Sequence, residues 1–327
     1  MTRDPGVAVG ICSSMTVRKE WEERLARIRR RRKLGRLKEL VVARKTALRY
    51  RERVEAFLAK RRRAGKGRLE TVGDVDRAVE AEIGDMWWQG DPKSWAADLV
   101  SGVQHFYPRC RKRLVSAWRL YGAWNRLEYP NRAPPMDLRL ALAVAGRFWR
   151  QGRRRTAVAV LLGFHCYIRS GELLGLRRSK IVVSRDGKGV VSLGVTKGKR
   201  IEMVTIDDPG LGRLLRRVME GLAAGERLMD TTEKEFRQEF SRILKELGLE
   251  RMAYKPYSMR RGGATEDFRE HGSMDRSLLR GRWKSAPAAR QYILEGVEMY
   301  VRLARSAKEE LLVLEAGEVM RKLVTED

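Results

Sequence analysis

The stretch that decides the fold is YSMRRGGAT at residues 257–265, which is followed by GRWKS at 281–285 and AARQYI at 288–293. A further segment, YIRSGELLGL at 167–176, lies upstream and supplies another arginine directly after an apolar run. The planar guanidinium of arginine can hold two phosphate oxygens and stays charged. A tyrosine phenol can act as a nucleophile and leave a phosphotyrosine link. Arginines, a tryptophan and a tyrosine in this order therefore predict a phosphate-binding site with a protein nucleophile.

The composition predicts a polyanionic partner. The 327-residue chain has a formal net charge of +28, which is far from that of an ordinary soluble enzyme. Such an excess indicates binding to nucleic acid or to an acidic membrane surface rather than a merely solvated basic surface. Residues 1–70 carry 23 Lys and Arg against 8 Asp and Glu, so more than half of the excess lies in about a fifth of the chain.

Cysteine usage and hydropathy indicate the kind of cellular compartment in which the protein works. Cys12, Cys110 and Cys166 are odd in number and widely spaced, which argues against a disulfide framework and predicts an intracellular, reducing compartment. No Cys/His pair has zinc-ligand spacing. No apolar run approaches the length of a membrane span, so we expect no membrane partner. The first 15 residues form no convincing signal peptide.

The N-terminal part of the chain divides into three segments. Residues 1–16 are predicted to be disordered, and 17–70 to form a basic helical arm. This arm either lies along a phosphate backbone or is a solvated charged helix. The apolar pattern of residues 71–131 predicts a small all-α domain that binds DNA. The third helix of this domain has a basic outer face. We expect this face to contact DNA through Arg111, Lys112, Arg113 and Arg119.

The C-terminal part begins after YPNRAPPMD at 129–137, whose prolines predict a stiff connector and a domain boundary. Segments 180–184, 189–195 and 200–206 are separated by turn-like RDGKG and TKGK, and predict a three-stranded antiparallel sheet among apolar helices. The predicted fold class is therefore mainly α with one small antiparallel sheet, an α+β domain over 136–327. Residues 297–324 predict a helical tail.

The chemistry of phosphodiester cleavage matches these residue types. The charge on the phosphoryl oxygens must be neutralised, a nucleophile must be placed in line, and the leaving oxygen must receive a proton. Arginines serve the first purpose, a tyrosine the second, and a lysine on a turn the third. Such a site requires neither a metal nor ATP.

At these residues the chain resembles the tyrosine recombinase and phage integrase family. The resemblance covers about 136–295 and, more weakly, 71–131, which is similar to the family's helical core-binding (SAM-like) domain. It implies that Arg169 and Arg260 bind the phosphate and that Tyr292 is the nucleophile. Tyr292 follows the second arginine by 32 residues, which matches the family's spacing.

The resemblance assigns the remaining positions of the site. Glu172 is implied to be the acidic residue that supports the first arginine. Trp283, nine residues before the nucleophile, occupies the position that is His or Trp in the family. The family's β-turn lysine falls within VTKGKR, where we choose Lys197 as the proton donor. Lys199 is the alternative, and we otherwise expect it to contact DNA.

One position departs from the family's pattern. Tyr257 stands three residues before the second arginine, where the family usually has histidine. A phenol titrates near pH 10 and is a poor general base at neutral pH, although it can donate a hydrogen bond. His271, eleven residues after Arg260, is a poor candidate to replace it. Tyrosine at position 257 therefore predicts a site that is preserved but whose chemistry is slowed or altered.

Three functions follow as alternatives. The first is site-specific DNA recombination or integration through a 3′-phosphotyrosyl intermediate on double-stranded DNA, by a homotetramer on paired sites and with no cofactor. The second is DNA binding by a descendant that has lost catalysis, and the third is type IB topoisomerase activity. A tail docked on a neighbouring protomer would favour recombination, whereas the alternative is a tail packed on its own domain. A DNA substrate implies a nuclear or nucleoid location.

Overall fold

The computed structural model describes residues 9–129, 132–195 and 201–325. The chain divides into two compact units, Met1–Asn131 and Arg132–Asp327, and the division falls inside the proline-rich connector. Within the described ranges, no helix is both long and apolar enough to cross a membrane. Cys110 and Cys166 are free, buried thiols.

Among its described residues the N-terminal unit contains five α-helices: α1 Val9–Leu34, α2 Arg44–Arg63, α3 Val72–Gln89, α4 Lys93–Phe106 and α5 Val115–Leu127. Helix α1 begins at Val9, inside the segment that the sequence predicts to be disordered. The side chains described in α1, from residue 18 onward, are mostly exposed.

The second half of the predicted arm belongs to the core of this unit. Helix α2 packs against α4, and its Val54 and Phe57 are buried beside Ile83 and Leu99. Helix α2, the second half of the predicted basic helical arm over 17–70, therefore packs into the unit, since its apolar stripe is covered by neighbouring helices rather than by solvent. The start of α5 is fixed by the buried carboxylate of Asp76, which accepts from the backbone N–H groups of Ser116 and Ala117 at 2.9 and 3.0 Å.

The C-terminal unit contains ten helices among its described residues: α6 Leu138–Arg150, α7 Arg154–His165, α8 Ser170–Gly175, α9 Pro209–Val218, α10 Glu233–Glu246, α11 Tyr257–His271, α12 Met274–Gly281, α13 Ala286–Arg290, α14 Glu295–Leu303 and α15 Ala307–Thr325. Strands β1 Ile181–Val183, β2 Gly189–Val195 and β3 Ile201–Ile206 form one antiparallel sheet in the order β1-β2-β3. The predicted fold class is confirmed.

The C-terminal tail packs on its own unit. It consists of two helices, α14 and α15, rather than one, and Arg305 between them is buried in an ion pair with Asp137. Helix α15 lies against α6 so closely that a Cβ on Gly146 would sit 1.9 Å from the carbonyl oxygen of Ala316. Of the two alternatives for the tail, the structure therefore has the one in which α15 covers the core of its own domain.

Candidate active site

The motif YSMRRGGAT forms the start of α11, which is packed tightly into the C-terminal unit. A Cβ on Gly262 would lie 1.8 Å from the carbonyl oxygen of Met136, and one on Gly263 would lie 1.9 Å from that of Phe164. Only glycine permits this approach of backbone to backbone. The close packing at the two glycines places Arg260, two residues before Gly262, in the centre of the unit, where it is 1% exposed.

Arg260 is held by backbone carbonyls on two separate segments. Its Nη1 donates to the carbonyl oxygen of Tyr167, and its Nη2 donates to that of Gly281 at 2.7 Å. Its Nε has no hydrogen-bond partner among the described residues. Since a guanidinium has five N–H donors, Arg260 keeps capacity for an anionic ligand.

Two aromatic rings lie over Arg260. Its guanidinium carbon is 5.1 Å from the ring centroid of Trp283 and 5.2 Å from that of Tyr292, while the two ring centroids are 4.6 Å apart. Both contacts are within cation–π range. Burial, together with the positive charges of Arg169 and Arg282, lowers the pKa of Arg260 to about 10. The cluster therefore concentrates positive charge beside a phenol.

Arg169 occupies the N-cap position of α8 and is held by Glu172. The carboxylate of Glu172 accepts from the backbone N–H of Arg169 at 3.1 Å and from its Nη1 at 2.5 Å. The Arg169 side chain is 36% exposed, so it is far more accessible than Arg260. Burial opposes ionisation of Glu172, but the charge of Arg282 and the hydrogen bonds from Arg169 outweigh it and lower the pKa of Glu172.

Tyr292 lies in the short connection between α13 and α14, and two residues of α11 hold that connection. Nη2 of Arg261 donates to the carbonyl oxygen of Gln291 at 2.5 Å. The hydroxyl of Thr265 accepts from the backbone N–H of Leu294 at 3.1 Å. Its single hydrogen is shared between the carbonyl oxygens of Arg261 at 2.9 Å and Tyr292 at 3.2 Å. The motif that carries Arg260 thus also positions the phenol.

The Tyr257 side chain, three residues before Arg260, lies beside Tyr292 with the ring centroids 5.7 Å apart. Burial and hydrogen bonding with Tyr292 raise the pKa of Tyr257. Burial would also raise the pKa of Tyr292, but hydrogen bonding with Tyr257 and the charges of Arg260 and Arg169 outweigh it and lower that pKa. The two phenols therefore interact directly, and Tyr292 is the one whose pKa is lowered.

Sequence reasoning missed Arg282, which immediately precedes Trp283. Its Nη2 donates to Glu172 at 3.1 Å, and its Nη1 donates to Glu202 at 3.4 Å. Arg261 and Thr265 were also missed, although both lie inside the quoted motif. Their roles depend on contacts with residues about 30 positions away, and no local signal in the sequence marks such contacts.

The structure brings together six of the seven residues predicted to be catalytic. These are Arg169, Glu172, Tyr257, Arg260, Trp283 and Tyr292. Lys197 and Lys199 lie outside the described residues, between the paired strand ends Val195 and Ile201. The predicted DNA-contacting residues are exposed and belong to the N-terminal unit: Arg111, Lys112, Arg113 and Arg119. Over the described ranges, no group of three or more His, Cys, Asp or Glu side chains is arranged to hold a metal ion.

No protein-family model and no curated protein matches the chain. Solved structures do resemble it. A lambda integrase(75-356) dimer bound to a COC′ core site has a TM-score of 0.54 at 17% identity, over 85% of this chain and 95% of that chain. XerA recombinase has a TM-score of 0.41 at 16% identity, over 81% and 94% of the two chains. XerH site-specific recombinase bound to palindromic difH substrate has a TM-score of 0.44 at 13% identity, over 72% and 80%. The likeness to lambda integrase shows that this chain has the integrase fold, mostly helical with one three-stranded antiparallel sheet.

Proposed function

We propose that this chain is a tyrosine recombinase that breaks and rejoins double-stranded DNA, with Tyr292 as the nucleophile. The observation that carries the proposal is the position of the Tyr292 phenol against Arg260 and Trp283, with its pKa lowered in spite of burial. A phenol in such surroundings is suited to attack a phosphate whose charge is neutralised by the same arginines.

The proposed reaction is a transesterification. Arg169 and Arg260 bind the nonbridging oxygens of the scissile phosphate. Tyr292 loses its proton to solvent, and the resulting phenolate attacks phosphorus. The bond from phosphorus to the 5′ oxygen breaks, and Lys197, with Lys199 as the alternative, protonates that oxygen. The 3′ phosphate then remains on Tyr292 until a 5′ hydroxyl attacks it and releases the phenol, so the phosphoester energy is conserved.

The proposed partner is duplex DNA, bound by a homotetramer on paired sites. The net charge of +28 supports a polyanion as the partner. The structure with the same fold, lambda integrase, is bound to a COC′ core site. Binding to DNA would place the protein in a nucleoid or nucleus, where it would serve integration or another form of site-specific recombination.

The decisive experiment is covalent trapping. The wild-type protein is incubated with a library of nicked duplexes that lose the 5′ fragment once the strand is cut. We expect a protein–DNA adduct that withstands denaturation and that Tyr292→Phe abolishes while DNA binding persists. Absence of an adduct on every duplex, with binding intact, would overturn the proposal.

A second candidate is DNA binding without cleavage, which the Tyr257 substitution favours. It predicts salt-sensitive DNA binding, no adduct, and no effect of Tyr292→Phe. Helix α15 packs on its own unit, and a tail docked on a neighbouring protomer was the feature that would have favoured recombination over type IB topoisomerase activity. Topoisomerase activity is therefore tested as a further alternative. That activity would appear as relaxation of a supercoiled plasmid by the protein without paired sites.

A further inference from the structure

The end of α12 turns the chain so that the Trp283 side chain lies over Gly281. Gly281 is the last residue of α12, and Arg282 after it has φ 58°, in the left-handed region. The backbone N–H of Arg282 donates to the carbonyl oxygen of Leu279 at 3.1 Å. That of Trp283 donates to the carbonyl oxygen of Leu278 at 3.0 Å. These two bonds form a Schellman motif, in which a residue in the left-handed conformation ends the helix.

Gly281 leaves the space that the Trp283 ring occupies. A Cβ on Gly281 would lie 2.0 Å from Cζ3 of Trp283, 2.2 Å from Cε3 and 2.5 Å from Cη2, whereas non-bonded carbon atoms normally stay about 3.5–4.0 Å apart. All three atoms belong to the six-membered ring of the indole, so this ring lies directly against the α-carbon. The backbone of Gly281 is helical, and the need for glycine therefore comes from the ring rather than from the backbone conformation.

The indole that lies on Gly281 contacts the centre of the candidate site. Its ring centroid is 5.1 Å from the guanidinium carbon of Arg260 and 4.6 Å from the ring centroid of Tyr292. A further neighbour is the buried ring of Tyr167, stacked on it at 6.3 Å with the planes inclined by 18°. An indole with these neighbours cannot move away from an added methyl group without changing its distance to at least one of them.

The backbone of Gly281 acts on the same arginine. Its carbonyl oxygen accepts from Nη2 of Arg260 at 2.7 Å, so the residue contacts both the guanidinium and the indole that lies over it. An alanine at this position keeps the carbonyl group but removes the space for the indole. Substitution by alanine therefore separates the two contributions.

We propose that Gly281 is a positioning residue, which holds the indole of Trp283 against Arg260 and Tyr292 by leaving room for it. The proposal rests on the proposed function, because these two residues are the proposed phosphate ligand and the proposed nucleophile. It adds to that function the residue that decides where the indole lies.

The test is a double-variant cycle on the rate of adduct formation with nicked duplexes. Gly281→Ala should slow adduct formation on the order of 10²-fold, the cost of displacing a group of an active site by about 1 Å. Trp283→His provides the second background, because an imidazole has a five-membered ring and lacks the three atoms that the methyl group would meet. In that background Gly281→Ala should change the rate by no more than about twofold.

Thermal melting gives a second readout that does not depend on activity. Gly281→Ala should lower the Tm by roughly 5 °C, because the indole is displaced from a packed position. In the Trp283→His background the methyl group fills space that the six-membered ring has left, so the Tm should not fall further. Gly175→Ala is the matched control, since Gly175 is the last residue of α8 and has nothing within 4 Å of an added methyl group. It should react at the wild-type rate.

The outcomes separate the packing from the function. If Gly281→Ala reacts and melts like the wild type, or costs the same in both backgrounds, Gly281 does not position the indole and the inference is overturned. A Gly281→Ala protein that fails to fold, and that Trp283→His restores, supports it. If the wild type binds DNA but forms no adduct on any duplex, the proposed function fails. The melting cycle then decides by itself whether Gly281 positions the indole, as it does if Trp283→His forms no adduct.

Discussion

The ring of Tyr257 lies 5.7 Å from the ring of Tyr292, centroid to centroid, with the planes inclined by 53°. Tyr257 is the first residue of α11, one turn before Arg260, so the helix that presents the arginine also presents this second phenol. Hydrogen bonding between the two hydroxyls raises the pKa of Tyr257 and lowers that of Tyr292. The pair offers a way to favour the Tyr292 phenolate without a histidine base.

This relationship predicts a pH effect. Tyr257→Phe removes the hydroxyl whose hydrogen bonding lowers the pKa of Tyr292, so that pKa should rise. Because the phenolate is the reactive form, the rising limb of adduct formation against pH should move to higher pH. At a pH well below the pKa of Tyr292, each unit by which that pKa rises would lower the rate of adduct formation roughly tenfold. The measurement is the pH–rate profile of adduct formation for both proteins.

The control for this prediction is Tyr300→Phe, which removes the hydroxyl of an exposed tyrosine on α14. It should leave the pH profile in place. An unchanged profile in Tyr257→Phe would show that the second phenol does not tune the first. The variant Tyr257→His tests separately whether a histidine at this position increases the rate of adduct formation at neutral pH.

The packing of α15 on α6 predicts a stability effect at Gly146. Gly146→Ala would place a methyl group 1.9 Å from the carbonyl oxygen of Ala316, so α15 must shift away from α6. We expect a loss of about 3 kcal/mol in the free energy of unfolding, at the upper end of overpacking costs, because backbone rather than a side chain is displaced. Denaturant unfolding of the whole chain measures it.

Gly84→Ala is the matched control, since Gly84 also lies inside a helix, α3, but has nothing within 4 Å of the added methyl group. It should stabilise the N-terminal unit by about 0.4–1 kcal/mol. Equal effects of the two substitutions would contradict the close contact between α6 and α15.

The exposed basic residues just before α5 and in its first turns, Arg111, Lys112, Arg113 and Arg119, predict salt-dependent DNA binding. Replacing Arg111 and Arg113 together by alanine should weaken binding to duplexes of any sequence. The slope of log K against log salt concentration should fall by about 0.9 for each phosphate contact removed. Affinity titrations over a range of salt concentrations provide the slope.

Arg237 and Arg242, both exposed on α10, give a control with the same loss of charge. Alanine at both positions should leave the slope unchanged. A slope that changes equally in the two double variants would mean that net charge, and not this face, governs binding.

Much of the fold could be predicted from the sequence because its signals are local. In the sequence, RDGKG and TKGK separate three β-branched runs, and these runs coincide with the three strands. The capping box at Thr232 and Glu235 marks the start of α10. The burial of Val54 and Phe57 in the core of the N-terminal unit was missed, because an amphipathic charged helix looks the same whether its apolar stripe meets solvent or another helix.

The sequence by itself determined which chemical groups are available and in what order, from Arg169 to Tyr292, since residue identity and spacing are written in it directly. Only the tertiary structure decided that Arg260 is buried under two rings, that Tyr257 faces Tyr292, and that Arg282 joins Glu172 to Glu202. These relationships connect residues that lie between 23 and 110 positions apart. Their distances are set by the close packing of helices and strands, as at Gly262 and Gly263, and no local pattern encodes them.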